Sequence, residues 1–262
     1  MFLKGKKLVI TGVLNPDSIA FHSARIAQEQ GAEIVLTGFG RGLRITERTA
    51  KRLPSPAPVY ELDIMDDDHM ESLVATLTQE WGSLDGALHS IGFAPGDALG
   101  GNFLHTPAES ATTAFGVSAF SYKTLAMGLL PLMEKAGGGS LVTLDFDNSQ
   151  AWPGYDWMGV AKAALQATTR YLAGYLGPKG IRVNAVSAGP LKTMAAKSIP
   201  GFEVFEGVWS DRSPLPWDET NPEPVARMVA LLLSDWMPMT TGEVIHVDGG
   251  FHALAAGIPD AE

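Results

Sequence analysis

Short β-branched runs alternate with longer amphipathic stretches along most of this chain. Lys7-Leu8-Val9-Ile10-Thr11 reads as a first strand, and residues 18–30 follow as a helix with Ala20, Ala24, Ile26 and Ala27 among its small or apolar positions. Strand-like runs recur at 33–36, 59–62, 84–90, 140–144, 182–186 and 243–247, and helical patterns fill the gaps at 44–52, 67–81, 109–133, 158–176 and 222–234. Such alternation predicts an α/β fold: one Rossmann-type doubly wound parallel sheet of about seven strands, with helices on both faces. Ligands of such sheets bind beyond the carboxyl ends of the strands, so functional residues are expected just after them.

Residues 192–217 break the pattern. They lack a clear period, yet they carry Met194, Ile199, Phe202, Phe205, Val208, Trp209 and Trp217. A long apolar loop between a strand and the last helix reads as a lid over a substrate site, or as a loop packed on a neighbouring subunit.

Composition narrows the classes. At 262 residues, 45% hydrophobic and 18% charged, the chain has ample core material, and no linker or repeat divides it; a single domain over 1–262 is expected. The absence of cysteine excludes disulfides, thiolate metal sites and a Cys nucleophile. No metal site is expected. A net charge of −10 argues against nucleic acid as a partner. No apolar run is long enough to span a membrane and no leader pattern opens the chain, so no membrane partner and a cytoplasmic location are the expectation.

Three segments carry candidate chemistry. After the first strand, Gly12 allows a tight turn, and the helix N-terminus beyond it offers N–H groups to a pyrophosphate, with Ser18 placed either to cap that helix or to contact phosphate. Only Gly12 of a GxGxxG fingerprint is present, so this segment alone reads equally as a structural turn. The second strand ends Thr37-Gly38-Phe39-Gly40-Arg41 without the usual acid for a ribose hydroxyl. Phe39 could stack on adenine or close the core, Arg41 could meet a 2′-phosphate or water, and Asp63 could face adenine or cap a helix. Third, Tyr155 and Lys162 are seven residues apart, nearly two helical turns, which places both side chains on one face roughly 10 Å apart along the axis. A phenol could hydrogen-bond a substrate carbonyl while the ammonium holds ribose hydroxyls and favours ionisation of the phenol. Tyr175 and Lys179 offer the commoner four-residue spacing, but Gly177 and Pro178 between them read as a helix end.

Taken together these segments resemble the enoyl-acyl-carrier-protein reductases, a divergent branch of the short-chain dehydrogenase/reductase superfamily. The resemblance rests on Ser18-Ile19-Ala20-Phe21-His22, Leu36-Thr37-Gly38-Phe39, Glu61-Leu62-Asp63, His89-Ser90-Ile91-Gly92-Phe93, Asp145-Phe146-Asp147, Tyr155-x6-Lys162, Ala188-Gly189-Pro190-Leu191-Lys192-Thr193 and Val247-Asp248-Gly249-Gly250, in that order over almost the whole chain. It is strongest to the NADH-dependent branch that isoniazid inhibits. The resemblance implies NADH as cofactor and an enoyl chain on acyl carrier protein as substrate, in fatty acid synthesis. Tyr155 would hydrogen-bond the thioester carbonyl, Lys162 grip the nicotinamide ribose, and Phe146 shape the site between them. Gly12, Ser18, Ile19, Asp63, Ile64, Ile91, Gly92 and Leu191 would line the dinucleotide, with Phe39, Ser90 and Thr193 as further contacts. Tyr155, Met158, Met194, Ile199 and Phe202 would meet the substrate. A homotetramer is also implied, with which the apolar stretch 251–258 is compatible as a buried interface.

Two features depart from that branch. Residues 192–209 form a shorter segment than its lid, so very-long-chain preference does not carry over, and Ala94-Pro95-Gly96-Asp97 replaces a more apolar run. Two other readings stand beside the reductase: a ketoacyl reductase or alcohol dehydrogenase of the same superfamily, which would use a Ser and a four-residue Tyr–Lys spacing, and a non-catalytic nucleotide-binding module.

Overall fold

A computed structural model describes residues 1–256. Among them, seven strands form one parallel sheet in the order β3-β2-β1-β4-β5-β6-β7: β1 (Lys7–Thr11), β2 (Glu33–Gly38), β3 (Val59–Glu61), β4 (Gly86–His89), β5 (Gly139–Phe146), β6 (Ile181–Ala188) and β7 (Val244–Val247). The order reverses between β1 and β4. That reversal opens a crevice at the carboxyl edge, where open α/β sheets bind ligands.

Alternation along the strands builds two cores. On β1, Leu8 and Ile10 face one layer and Val9 the other; on β2, Ile34 and Leu36 oppose Val35 in the same way. The first layer is closed by α1 (Ile19–Glu29), α2 (Gly40–Ala50) and α8 (Glu223–Leu233), the second by α3 (Asp67–Glu80), α5 (Ser121–Ala136) and α6 (Asp156–Leu176). Ser18 caps α1, its Oγ accepting the Phe21 N–H at 3.1 Å. The helix expected over 158–176 is α6, and it stops at Leu176, with Gly177–Lys179 forming a 3-10 turn. Tyr175 is exposed, and Lys179 is ion-paired to Glu134, so that alternative Tyr–Lys pair lies away from the crevice.

Two expectations need correction. The single helix over 109–133 is instead α4 (Ala108–Phe115), a π-helical turn (Gly116–Phe120) and α5. The 192–217 segment is not all irregular: it holds a 3-10 turn (Ala196–Ser198) and α7 (Glu203–Arg212), on which Phe205 and Trp209, four residues apart, are both buried. In the stretch 251–258, Phe251 is buried within its own chain, residues 252–256 are exposed or half-buried, and 257 and 258 lie outside the described residues.

Candidate active site

The two strands at the reversal are tied together where they end. Thr11 Oγ1 donates to the Leu88 carbonyl at 3.0 Å and accepts the Ser90 N–H at 2.8 Å. Gly12 follows with φ +77°, and a Cβ there would lie 2.1 Å from the Ser90 carbonyl oxygen. Glycine is therefore required twice over, by conformation and by space. Beyond this closed floor the chain opens a cavity of about 550 Å³.

Most of the expected residues meet there. Gly12, Ser18, Ile19, Ser90, Ile91, Gly92, Leu191 and Thr193 line it, together with Phe146, Tyr155 and Lys162 and with Met158, Met194, Ile199 and Phe202. Phe39, Asp63 and Ile64 are not among its walls. Phe39 is half-exposed after β2, Asp63 accepts the Met65 N–H at 3.0 Å after β3, and Ile64 is buried in the core. The Asp63 and Phe39 positions still follow neighbouring strands on the carboxyl edge, since Gly38 and Glu61 are partners in register. Arg41 lies exposed at the start of α2.

Tyr155 immediately precedes α6, and Lys162 lies on that helix. Asp156, the first residue of α6, has φ +44°, a conformation that costs energy outside glycine. Its carboxylate accepts the Gly101 and Asn102 N–H groups at 2.7 and 3.0 Å, so the strained residue ties the 96–105 loop to the helix start. The Tyr155 ring packs edge-on against Phe146, 5.3 Å between centroids, and no hydrogen bond engages its hydroxyl among the described residues. Lys162 Nζ donates to the Leu144 carbonyl at 2.8 Å, which leaves two further N–H donors on the ammonium.

Burial pushes the Tyr155 phenol well above its ordinary value, and the nearby Asp145 carboxylate pushes it further. Both causes favour the neutral O–H over the phenolate. Burial lowers Lys162, and the Asp145 charge opposes that shift. Asp145 itself is raised to about 6, chiefly by burial, against the pull of Lys162.

The cavity suits a dinucleotide. Its floor is closed at Gly12 by the Ser90 carbonyl and hydroxyl, and the first turn of α1 adds N–H groups without intrahelical partners. Two oxygens of wall residues, Asn15 Oδ1 and Asp145 Oδ1, are buried without a hydrogen-bond partner in the protein. Its walls also carry the apolar side chains of Met158, Met194, Ile199, Phe202 and Phe205. Asp145 entered the sequence reading only as part of a motif. An acid after the apolar run Leu141-Val142-Thr143-Leu144, just before the strand end, was the signal that could have marked it.

Fold and cavity define a Rossmann-type oxidoreductase of the short-chain dehydrogenase/reductase class. A family model described as enoyl-(acyl carrier protein) reductase matches residues 12–252. Similar curated proteins include the enoyl-acyl-carrier-protein reductase (NADH) of Mycolicibacterium smegmatis, 45% identical over 262 residues, covering 95% of this chain and 96% of that protein. The corresponding protein of Neisseria meningitidis is 40% identical over 252 residues (95% and 96% covered), and that of Escherichia coli 37% over 257 (97% of each). This chain belongs to the enoyl-(acyl carrier protein) reductase family.

Proposed function

We propose that the chain reduces the trans-2 double bond of an enoyl thioester carried on acyl carrier protein, using NADH, as a step of fatty acid synthesis. One observation carries the reading: in a member of this family, Tyr155, Lys162 and Phe146 line one cavity together with Gly12, Ser18 and Ser90 and with apolar Met158, Met194 and Phe202. NADH supplies the hydride that reaches the substrate Cβ. The electron pair of the double bond then moves toward the thioester, and charge gathers on the carbonyl oxygen. Tyr155, kept neutral by burial, hydrogen-bonds through its O–H to that oxygen and stabilises the enolate as it forms, and a proton taken up at Cα from solvent collapses the enolate and completes the reduction. Lys162 would hold the nicotinamide ribose through the donors that Leu144 leaves free. Phe146, packed between Tyr155 and Phe205, excludes water from the reacting carbons. Gly12, Ser18, Ile19, Ser90, Ile91, Gly92, Leu191 and Thr193 would hold the dinucleotide, with Phe39, Asp63 and Ile64 extending the site toward adenine. Met158, Met194, Ile199 and Phe202 would face the acyl chain, with 192–217 acting as its lid.

The preference for NADH is supported by the names of the relatives, each of which specifies it. A homotetramer in the cytoplasm, docking acyl carrier protein, completes the reading; among the described residues no helix is long and apolar enough to cross a membrane. Following NADH oxidation with an enoyl thioester, a ketoacyl thioester and no substrate tests it. Turnover confined to the enoyl compound is the expected result. Turnover of the ketoacyl compound instead, or none with either, overturns it.

A further inference from the structure

Asp145 is buried in the cavity wall, yet only one of its carboxylate oxygens is held. Oδ2 accepts from Gln166 Nε2 at 2.8 Å and from Asn148 Nδ2 at 3.3 Å. Oδ1 is buried without a partner. A buried carboxylate left half-satisfied is costly, and an asparagine could accept the same two bonds without a charge. The charge itself therefore calls for an explanation. Lys162 supplies one. Its ammonium is anchored to the carbonyl of Leu144, the residue next to Asp145, and Gln166 follows Lys162 by one helical turn on the same face of α6.

We infer that Asp145, oriented by Gln166, is the buried counter-charge that keeps Lys162 protonated, and is thus a positioning residue for cofactor binding. The effect on the cofactor rests on the role proposed for Lys162. Other groups facing the pair do not supply the charge. His89 on β4 is bonded to Thr143 and Ser121, and burial pulls it down to about 3, so it is neutral. Tyr122 on α5 and Tyr155 before α6 are pushed well up by burial and stay neutral. Asp147, two residues along β5 and its exit, spends its carboxylate on Ser149 and Trp152. β6 presents Ser187 opposite Asp145 in register, and its ionisable residue, Arg182, pairs with Ser140 in register and is bonded to the Leu232 and Ser234 carbonyls. Among the described residues no direct ion pair joins Asp145 to Lys162, so the attraction acts through the low-dielectric wall, where charge is poorly screened.

The test is a lysine ¹³C NMR titration of the full chain without cofactor, paired with NADH dissociation constants across pH. In Asp145→Asn the Lys162 midpoint is expected to fall by about one pH unit or more, while Asp145→Glu keeps it near the parent value. NADH affinity should then weaken at correspondingly lower pH in Asp145→Asn and recover when the pH is lowered. An unchanged Lys162 midpoint overturns the inference. A shifted midpoint with an unshifted affinity profile upholds the counter-charge and overturns the cofactor role of Lys162 instead. Coupling is reciprocal, so Lys162→Met must raise the Asp145 carboxyl midpoint above about 6, and failure to do so overturns the inference even if Asp145→Asn does not fold.

Discussion

The Trp209 indole stacks on the Phe251 ring, 3.7 Å between centroids and 12° from parallel. Trp209 belongs to α7 and Phe251 to the turn that follows β7, so the stack joins α7 to the end of the last strand. Trp209 Nε1 adds a hydrogen bond to the Asp248 carbonyl at 3.0 Å, and the Arg212 guanidinium lies 3.9 Å from the Phe251 centroid. Trp209→Ala should cost about 3–5 kcal/mol of stability and lower kcat/KM for long acyl chains more than for short ones. Urea unfolding and a two-substrate kinetic comparison check this. Equal losses for both chain lengths would separate α7 from the acyl site.

Tyr155→Phe should mainly lower kcat, because the lost hydrogen bond strengthens as charge develops on the thioester oxygen. Lys162→Ala should weaken NADH binding, because it removes a ground-state contact. Steady-state kinetics with direct NADH titration tells them apart. Tyr175→Phe and Lys179→Ala, on the exposed pair near the helix end, should leave both quantities within about twofold of the parent, as surface changes usually do.

His89 makes stability depend on acid. Its folded pKa of about 3 lies below the unfolded value near 6.5, so the unfolded chain binds the extra proton between these limits. Its neutral form contributes stability in full above about 6.5, and that contribution is lost as pH falls toward 3. The loss is on the order of a few kcal/mol. His89→Gln should flatten the dependence of unfolding free energy on pH in that window, whatever it does to stability at neutral pH. An unaltered slope would mean that the acid sensitivity lies elsewhere.

Chain length should matter only while apolar wall remains to be covered. Each buried methylene contributes about 0.8 kcal/mol, and the wall offered by Met158, Met194, Ile199, Phe202 and Phe205 is finite. An enoyl-thioester series measured below micelle-forming concentrations should show kcat/KM rising and then levelling at medium length. A value still climbing at the longest chains would contradict the inference drawn from the short 192–209 segment.

How much was legible depended on how local each cause is. The strand–helix alternation marked every strand, because period-2 and period-3.6 burial are written residue by residue. The seven-residue spacing only suggested that Tyr155 and Lys162 share a face, since by pattern alone a core Tyr and a surface Lys was the likelier case. It took the resemblance to pair them, and Tyr155 lies just before α6 rather than on it. The helix α7 escaped because it is short and Gly207 at its centre is a poor helix former, although Phe205 and Trp209 at a four-residue spacing were in view. The π-helical turn left no local mark either: residues on both sides keep a helical period. Asp145 illustrates the remaining gap. Whether a carboxylate oxygen finds a partner is settled by Gln166 and Asn148 arriving from other elements, and the chain order does not say so.

The π-helical turn also changes how the 89–93 segment is held. An added residue advances a helix by about 100°, so α5 emerges rotated relative to α4. Ser118, inside the turn, bonds both the N–H and the carbonyl of Phe93 at 2.9 Å, while Ser121, just past it, reaches the His89 ring at 2.8 Å. One helical surface therefore gauges both ends of the 89–93 segment, as a template gauges a bent wire. The contour of that segment is inherited from the phase of a distant helix, and removing a single residue from 116–120 would unhook both serines together while leaving every residue that lines the cavity in place in the sequence.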